Sequence, residues 1–205
     1  MPILCLSRVT VTVATGGKSI EDECSATIKS GFKPITADAF MTKAGKLDTC
    51  SHIIYAVVRP WQGGHQNEIN HLFTAVSKSL EIAAERKLSS VAIAGVDWGF
   101  PANVGCPTLL EAVAEFQAQQ HHFAEILLID NRDQVVNHFH ENLAKQFGKQ
   151  NVKIVSGHPT EIPIPGVGAA STSCMCSFHL IDMHRPNSDV NEATSHKAKA
   201  TLLPC

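Results

Sequence analysis

Four segments between residues 39 and 129 have the pattern of β-strands, and one segment on either side of this region is a further candidate. The clearest is His52 to Arg59, which reads His-Ile-Ile-Tyr-Ala-Val-Val-Arg and stops before Pro60. A nearly continuous apolar run of this length predicts a central strand that is covered on both faces. The other three are Ala39–Lys43, Val91–Ala94 and Ile126–Ile129, and Val152–Val155 adds a further candidate. Near the N-terminus, Thr10-Val11-Thr12-Val13 alternates polar and apolar residues, which predicts a half-buried strand.

Between the strands, apolar residues recur at every third or fourth position, which is typical of one face of an α-helix. The longest stripe runs from about Glu68 to Leu88 and carries charged residues on its other side. A shorter one passes through Ile20, Cys24 and Ile28, with Ser19 as the expected N-cap and Gly31 at the end. Two more helices are predicted from the stripes Leu109, Leu110, Val113, Phe116 and Val135, Val136, Phe139, Leu143, Phe147.

Strands that alternate with helices predict an α/β fold, in which parallel βαβ units form a sheet between helices. The periodicity decays after about residue 155. Residues 156–205 contain five prolines among Gly, Ser and Thr, without a strand or helix period of useful length. We therefore expect three parts: an N-terminal strand segment (1–15), one domain (16–155) and a disordered tail or linker (156–205).

Charge and cysteine content narrow the class of protein. Lys and Arg number 17 against 19 Asp and Glu, a net charge of −2, which gives no electrostatic basis for binding nucleic acid. There is no apolar run of membrane-spanning length, and the first apolar stretch is interrupted at Arg8, too early for a secretory signal. The seven scattered cysteines are typical of free thiols in a reducing compartment. We expect an intracellular protein of the nucleus or cytoplasm.

Two glycine-containing segments are candidates for binding phosphate. The first is Gly16-Gly17-Lys18-Ser19. A P-loop requires another glycine five positions before the glycine that precedes its lysine, but this chain has Thr12 at that position. We therefore interpret Gly16–Ser19 as a turn that leads into a helix. The loop from Gly95 to Pro101 follows a predicted buried strand, where ligands bind in open α/β sheets. We therefore favour this second loop as part of a ligand site.

Metal-binding and catalytic patterns are weaker. His121-His122 and His138-x-His140 lie on predicted helical or connecting segments, and residues two apart on a helix point to different faces. Cys174-x-Cys176, with His179 and His184, has the ligand types of a zinc site but lies in the predicted tail. No Ser-His-Asp or Cys-His arrangement can be assembled. We expect no metal, no cofactor and no catalytic residue.

Several motifs, in order, resemble the macro-domain family. The matching segments are Thr42–Leu47 (the family's T-x-A-G-x-L), His52–Trp61 (I-I-H-A-V-G-P-x-W), Ser79–Glu85 with Ser89–Ile93 (S-L-x-x-A with S-I-A), Gly99–Pro101 (G-F-P) and Glu125–Asp130 (the last strand). The resemblance runs from about Gly17 to Gly148. Within this family, the sequence most resembles the macro domains found in macro-containing poly(ADP-ribose) polymerases.

The resemblance implies a three-layer α/β/α sandwich with a mixed, mostly parallel sheet, and a site for ADP-ribose, free or attached to protein. It places the phosphates at the second loop, Gly95 to Phe100, with the backbone N–H groups of Gly95, Val96, Trp98 and Gly99 facing them and the Asp97 carboxylate close by. Phe100 is expected to pack on the ribose side. Asp130 and Asn131 are expected at the rim of the adenine pocket.

The departures from the family pattern weaken this site. Residues 1–15 contain no Asp or Asn, so the family's adenine and ribose contacts and its first strands have no counterpart, and another segment must cover the sheet edge. The second loop is about three residues short, and Asp97 places a carboxylate where a diphosphate would lie. Tyr55 and Val58 replace the family's His and Gly.

Three functions remain open on these residues. The first is weakened, non-catalytic binding of ADP-ribose or of mono-ADP-ribosylated proteins. The second is a degenerate macro fold that acts as a protein-interaction or spacer module, and the third is an ADP-ribosyl hydrolase. Any transferase activity would lie in a separate domain. No membrane or nucleic-acid partner is expected, and the residues do not indicate an oligomeric state.

Overall fold

The computed structural model describes residues 16–33, 35–95, 99–119, 123–146, 151–157 and 173–180. Within these ranges there are four helices and six strands. The helices are α1 (Lys18–Lys29), α2 (Glu68–Glu85), α3 (Ala102–Ala118) and α4 (Asp133–Gln146). The strands are β1 (Ala39–Lys43), β2 (His52–Val58), β3 (Ser90–Ala94), β4 (Glu125–Asp130), β5 (Val152–Ser156) and β6 (Ser173–Leu180). None of these helices is both long and apolar enough to cross a bilayer.

The six strands form one mixed sheet in the order β1-β2-β6-β3-β4-β5. β1 is antiparallel to β2, and every other neighbouring pair is parallel. The five parallel strands therefore end at the same edge of the sheet, which we call the carboxyl edge. The predicted α/β class with a mostly parallel sheet is confirmed.

The position of β6 corrects the prediction that residues 156–205 form only a disordered tail or linker. The segment Ser173–Leu180 lies between β2 and β3 and pairs with both, with Cys176 opposite Ile54 on one side and Ile93 on the other. Its sequence, Ser-Cys-Met-Cys-Ser-Phe-His-Leu, contains no Asp, Glu, Lys or Arg, and apolar and polar residues alternate from Cys176 to Leu180. This alternation is short, and the position of the strand in the sheet depends on the hydrogen-bonding partners that two neighbouring strands supply.

One face of the sheet packs against α2, α3 and α4, and α3 lies between the other two helices. The strands contribute alternate residues to this face, because successive side chains in a strand point to opposite sides. These buried strand residues are Ile54, Ala56, Val58, Val91, Ile93, Ile126 and Leu128. The helices supply most of the remaining large side chains, among them Leu72, Leu80, Leu109, Leu110, Val113 and Phe139. The predicted stripes therefore lie on the core-facing sides of α2, α3 and α4, with Val136 and Leu143 partly buried. Phe147 of the last stripe lies outside the described residues.

The other face of the sheet carries the intervening residues and meets α1. Ile20 and Cys24 of α1 pack with Tyr55 and with Phe40 of β1 in a second apolar cluster. The rings of Phe40 and Tyr55 stack at 4.7 Å, and the hydroxyl of Thr42 lies 3.2 Å from that of Tyr55. The aromatic pair fixes the antiparallel register of β1 on β2, in which Phe40 lies opposite Tyr55.

The start of α1 differs from the prediction. The N-cap is Gly17, at φ 82°, and Ser19 lies inside the helix with no side-chain cap hydrogen bond at this end. The turn is fixed instead by backbone contacts, since the N–H of Lys46 donates to the carbonyl of Gly16 at 2.8 Å. This agrees with the interpretation of Gly16–Ser19 as a turn. The predicted strand at Thr10–Val13 lies outside the described residues.

Candidate functional site

The loops after β2, β3 and β4 lie at the carboxyl edge, where ligands bind in open α/β sheets. Of the predicted phosphate loop, Gly95, Gly99 and Phe100 are among the described residues, whereas Val96, Asp97 and Trp98 lie outside them. The described part of the candidate site therefore consists of the two ends of this loop and the neighbouring segments 59–67 and 131–132.

Gly95 joins the end of β3 tightly to the end of β4. Its N–H donates to the carbonyl of Ile129 at 3.0 Å. A Cβ added at Gly95 would lie 2.8 Å from Cγ1 of Val135 and would overlap the carboxylate of Asp130. The structure thus corrects the prediction that the Gly95 N–H faces phosphate, because this N–H is already bonded within the sheet. Gly95 brings the loop close to β4.

Gly99 and Phe100 form the other end of the loop, next to the first residue of α3. Gly99 is exposed and has φ 75°, a conformation that favours glycine. Phe100 is only 7% exposed and its ring contacts that of Trp61 at a centroid distance of 5.2 Å. Phe100 therefore belongs to the core beneath the loop, and its predicted ribose contact is not supported by this burial.

Asp130 and Asn131 end β4 at the same edge but have different environments. Asp130 is fully buried, and Arg132 bonds both of its carboxylate oxygens, Nε to Oδ1 at 3.0 Å and Nη2 to Oδ2 at 2.9 Å. Because its carboxylate is enclosed and held by a guanidinium, the structure does not support the predicted position of Asp130 at a ligand rim. Asn131 is exposed at the edge, and its contact with adenine stays a prediction.

Two residues of the carboxyl edge were not anticipated. Arg132 is about one third exposed, with a side-chain exposure of 36%, and brings a cation to the rim. Glu68, the first residue of α2, is buried and accepts N–H groups from the loop before it, Gln62 at 2.9 Å and Gln66 at 2.7 Å. The sequence offered a signal for Arg132, because an arginine two positions after an aspartate at a strand end can bind its carboxylate. It offered no signal that the Glu68 side chain would be buried.

A polar pair at the opposite edge is less favourable for a site. Ser51 Oγ lies 2.9 Å from Nδ1 of His52, at the start of β2. Burial and the positive charge of Arg86 lower the pKa of His52 below its ordinary value. His52 is therefore neutral at pH 7, but the pair lies at the amino end of the strand, away from the loops that meet at the carboxyl edge.

The described residues contain no group of three or more His, Cys, Asp or Glu side chains suited to a metal ion. His138 lies 3.4 Å from Glu141 on α4, and His140 is exposed. His121, His122 and His184 lie outside the described residues, and Cys174, Cys176 and His179 are described only by their backbone in β6.

Comparison with known proteins identifies the family. Residues 11–102 match the family model of the macro domain. Residues 11–102, a little under half of the chain, are macro-domain sequence. Macro domains as a family bind ADP-ribose as a ligand. The match includes α1, β1, β2, α2 and β3 and ends at Ala102. It covers four of the five segments on which the resemblance was based, and Glu125–Asp130 lies beyond it.

Curated proteins that are similar to the chain at low sequence identity include proteins named for ADP-ribose chemistry. The chain is 29% identical over 164 residues to human (Homo sapiens) protein mono-ADP-ribosyltransferase PARP14, covering 77% of this chain but only 9% of that protein. It is 27% identical over 137 residues to the O-acetyl-ADP-ribose deacetylase of Escherichia coli, covering 65% of this chain and 76% of the relative. The chain thus spans a small part of the first relative and most of the second.

A solved structure shares the fold. The macro domain of Oceanobacillus iheyensis, in a variant bound to ADPR, superposes with a TM-score of 0.60 at 17% identity. The superposition covers 66% of this chain and 75% of that chain. At this identity the likeness concerns the fold, and it supports the α/β/α sandwich.

Proposed function

We propose that this chain binds ADP-ribose, free or attached to protein, at the carboxyl edge of its sheet, and that it does so without catalysis. The observation that carries the proposal is the match of residues 11–102 to the macro domain, because this range includes the loop that leads into α3. Gly99 is exposed there, and the first N–H groups of a helix attract anions such as a diphosphate.

The contacts that remain for a ligand are fewer than the sequence implied. The Gly95 N–H is bonded to Ile129, and the side chains of Phe100 and Asp130 are buried. Gly99, Asn131 and the partly exposed Arg132 are the described groups that can still meet a ligand, and Val96, Asp97 and Trp98 complete the loop. We therefore expect micromolar rather than nanomolar binding, selective for ADP-ribose over AMP and ATP.

Isothermal titration of the purified chain with ADP-ribose, AMP and ATP tests the proposal. Gly99→Glu adds a carboxylate beside the diphosphate and should weaken binding about tenfold or more. Gly17→Glu is the matched control, because Gly17 also has a positive φ, 82° against 75°, but lies at the start of α1 beside Lys46. A folded chain that gives no heat with millimolar ADP-ribose, or equal losses in both variants, would overturn the proposal.

A second candidate function is hydrolysis of an ADP-ribose ester. The relative named O-acetyl-ADP-ribose deacetylase favours it, since the chain spans three quarters of that protein. Incubation of the chain with O-acetyl-ADP-ribose and measurement of released acetate separates the two functions. We expect no release above the rate in buffer. If the chain neither binds ADP-ribose nor releases acetate, a protein-interaction or spacer role remains.

A further inference from the structure

The segment between β2 and α2 folds around one carboxylate. Glu68 is 1% exposed, and its two carboxylate oxygens are used separately: Oε1 accepts the N–H of Gln62 at 2.9 Å and Oε2 that of Gln66 at 2.7 Å. The side chain thus points back from the helix start into its own preceding loop, residues 59–67. Two separate acceptors on one side chain close the loop at two points.

The carboxylate is held in its ionised form. Burial alone would raise the pKa of Glu68, but the backbone N–H groups of Glu68 itself, Gln62, Gln66 and Gly64 outweigh burial and hold the pKa below its ordinary value. Its position in the first turn of α2 adds the positive end of the helix dipole. At neutral pH the loop is therefore organised around a negative charge that backbone dipoles stabilise.

The same loop presents the indole ring of Trp61. The ring lies over Gly64, where an added Cβ would be 3.1 Å from Cη2. The ring also contacts that of Phe100 at a centroid distance of 5.2 Å, and Cβ of Trp61 is 3.8 Å from the position of a Cβ on Gly99. Trp61 therefore connects the loop that Glu68 closes to the loop after β3.

We propose that Glu68 is a positioning residue for the ligand site: by closing residues 62–66 on its carboxylate, it fixes Trp61 against Phe100 and Gly99 and so sets the end of the diphosphate loop. The inference rests on the proposed function, since it assigns a role in ADP-ribose binding. Glu68 itself is buried and contacts no ligand; it acts through Trp61.

The chemistry of the side chain distinguishes this role from simple packing. In Glu68→Gln, one carboxylate oxygen becomes an NH2 group, which is a donor and would face a backbone N–H. The variant keeps the size of the side chain but loses one of the two anchors. Glu68→Asp keeps the charge and both acceptors but shortens the side chain by one methylene. Glu85→Gln, at the exposed far end of α2, removes the same charge without touching the loop.

Two readouts test the proposal in the full-length chain. The first is the ADP-ribose dissociation constant of the wild type, Glu68→Gln and Glu85→Gln, with cooperative unfolding confirmed for each. The second needs no ligand: in a Trp98→Phe background Trp61 is the only tryptophan, and its emission maximum and quenching by acrylamide report its burial. We expect Glu68→Gln to weaken binding about tenfold and to expose Trp61, and Glu85→Gln to do neither.

A double variant shows whether Glu68 acts through Trp61. If it does, Glu68→Gln should cause little further loss of affinity once Trp61→Phe is present. Additive losses, or wild-type affinity in Glu68→Gln, would overturn the positioning role while ADP-ribose binding stands. If the wild type does not bind ADP-ribose, the proposed function fails, and unchanged Trp61 emission in Glu68→Gln would then overturn the loop closure as well. Should Glu68→Gln not fold, Glu68→Asp is measured in the same way.

Discussion

The guanidinium of Arg132 donates two hydrogen bonds to the buried carboxylate of Asp130, and the backbone N–H of Arg132 donates a third to Oδ1 at 2.9 Å. Asp130 is fully enclosed between the end of β3 and the start of α4, so its charge has no access to bulk water. The pair therefore ties the carboxyl edge of β4 to the segment that leads into α4. The Asp130 carboxylate is therefore a structural element of the candidate site, whereas the partly exposed Arg132 also reaches the rim.

Arg132→Met should destabilise the fold strongly, because it leaves a buried carboxylate without its cation. Breaking a buried ion pair on one side costs about 3 kcal/mol of unfolding free energy. Asp130→Asn combined with Arg132→Met should recover part of this loss, since the uncompensated charge is gone. Urea unfolding measures all three, with the exposed Lys145→Met on α4 as the control. A loss no larger than that of the control would show that the carboxylate is not held as the structure indicates.

Gly95→Ala should also be destabilising, for steric reasons. The new methyl group would press on the Asp130 carboxylate and on Val135, in a region with no open space. Overpacking of this kind costs about 1–3 kcal/mol. Gly31→Ala is the comparison, because a Cβ there has nothing within 4 Å and only the positive φ of 98° opposes it. Equal thermal stability of the two variants would contradict the close approach of β3 and β4.

His52 should make the stability of the chain depend on pH. Burial and Arg86 lower its pKa, so the unfolded chain binds a proton more readily than the folded chain as the pH falls through about 6.5. The folded state is therefore favoured above this pH and loses stability on acidification. His52→Gln should flatten the change in urea midpoint between pH 7.5 and 5.5, and the exposed His140→Gln serves as the control. A steeper pH dependence in His52→Gln would show the opposite sign.

The strands and helices that the sequence predicted are those whose pattern arises from local burial. His52–Val58 has apolar residues on both faces because the sheet is covered on both sides, and Glu68–Glu85 has an apolar stripe because only one face is covered. Such patterns need no knowledge of partners. β6 was missed because its alternation is limited to Cys176–Leu180 and follows a segment rich in Pro, Gly and Ser, and because its partners β2 and β3 lie far away in the sequence.

The site shows the same division between local pattern and three-dimensional contact. The sequence placed Asp130 at the end of a strand, and the period of two would have placed it on the face of Ile126 and Leu128, toward the helices. Its burial was therefore predictable, although the bonds from Arg132 were not. The role of Glu68 could not be predicted, because an acidic residue in the first turn of a helix is ordinarily exposed and acts through the helix dipole.

Cys176→Pro tests whether Ser173–Leu180 is a central strand. Proline removes an N–H and clashes with a sheet that is paired on both sides, so we expect a loss of about 3 kcal/mol or more, or failure to fold. Cys176→Ala changes the side chain but keeps the backbone N–H, so it should reduce the free energy of unfolding far less than Cys176→Pro. Met41→Pro provides the edge-strand control: its neighbours Ala39 and Lys43 donate to the carboxylates of Asp38 and Glu23, so the N–H groups on this side of β1 point away from β2. If Cys176→Pro is no more destabilising than Met41→Pro in urea unfolding, residues 173–180 do not fill the position between β2 and β3, and the two inner strands must be joined by another segment.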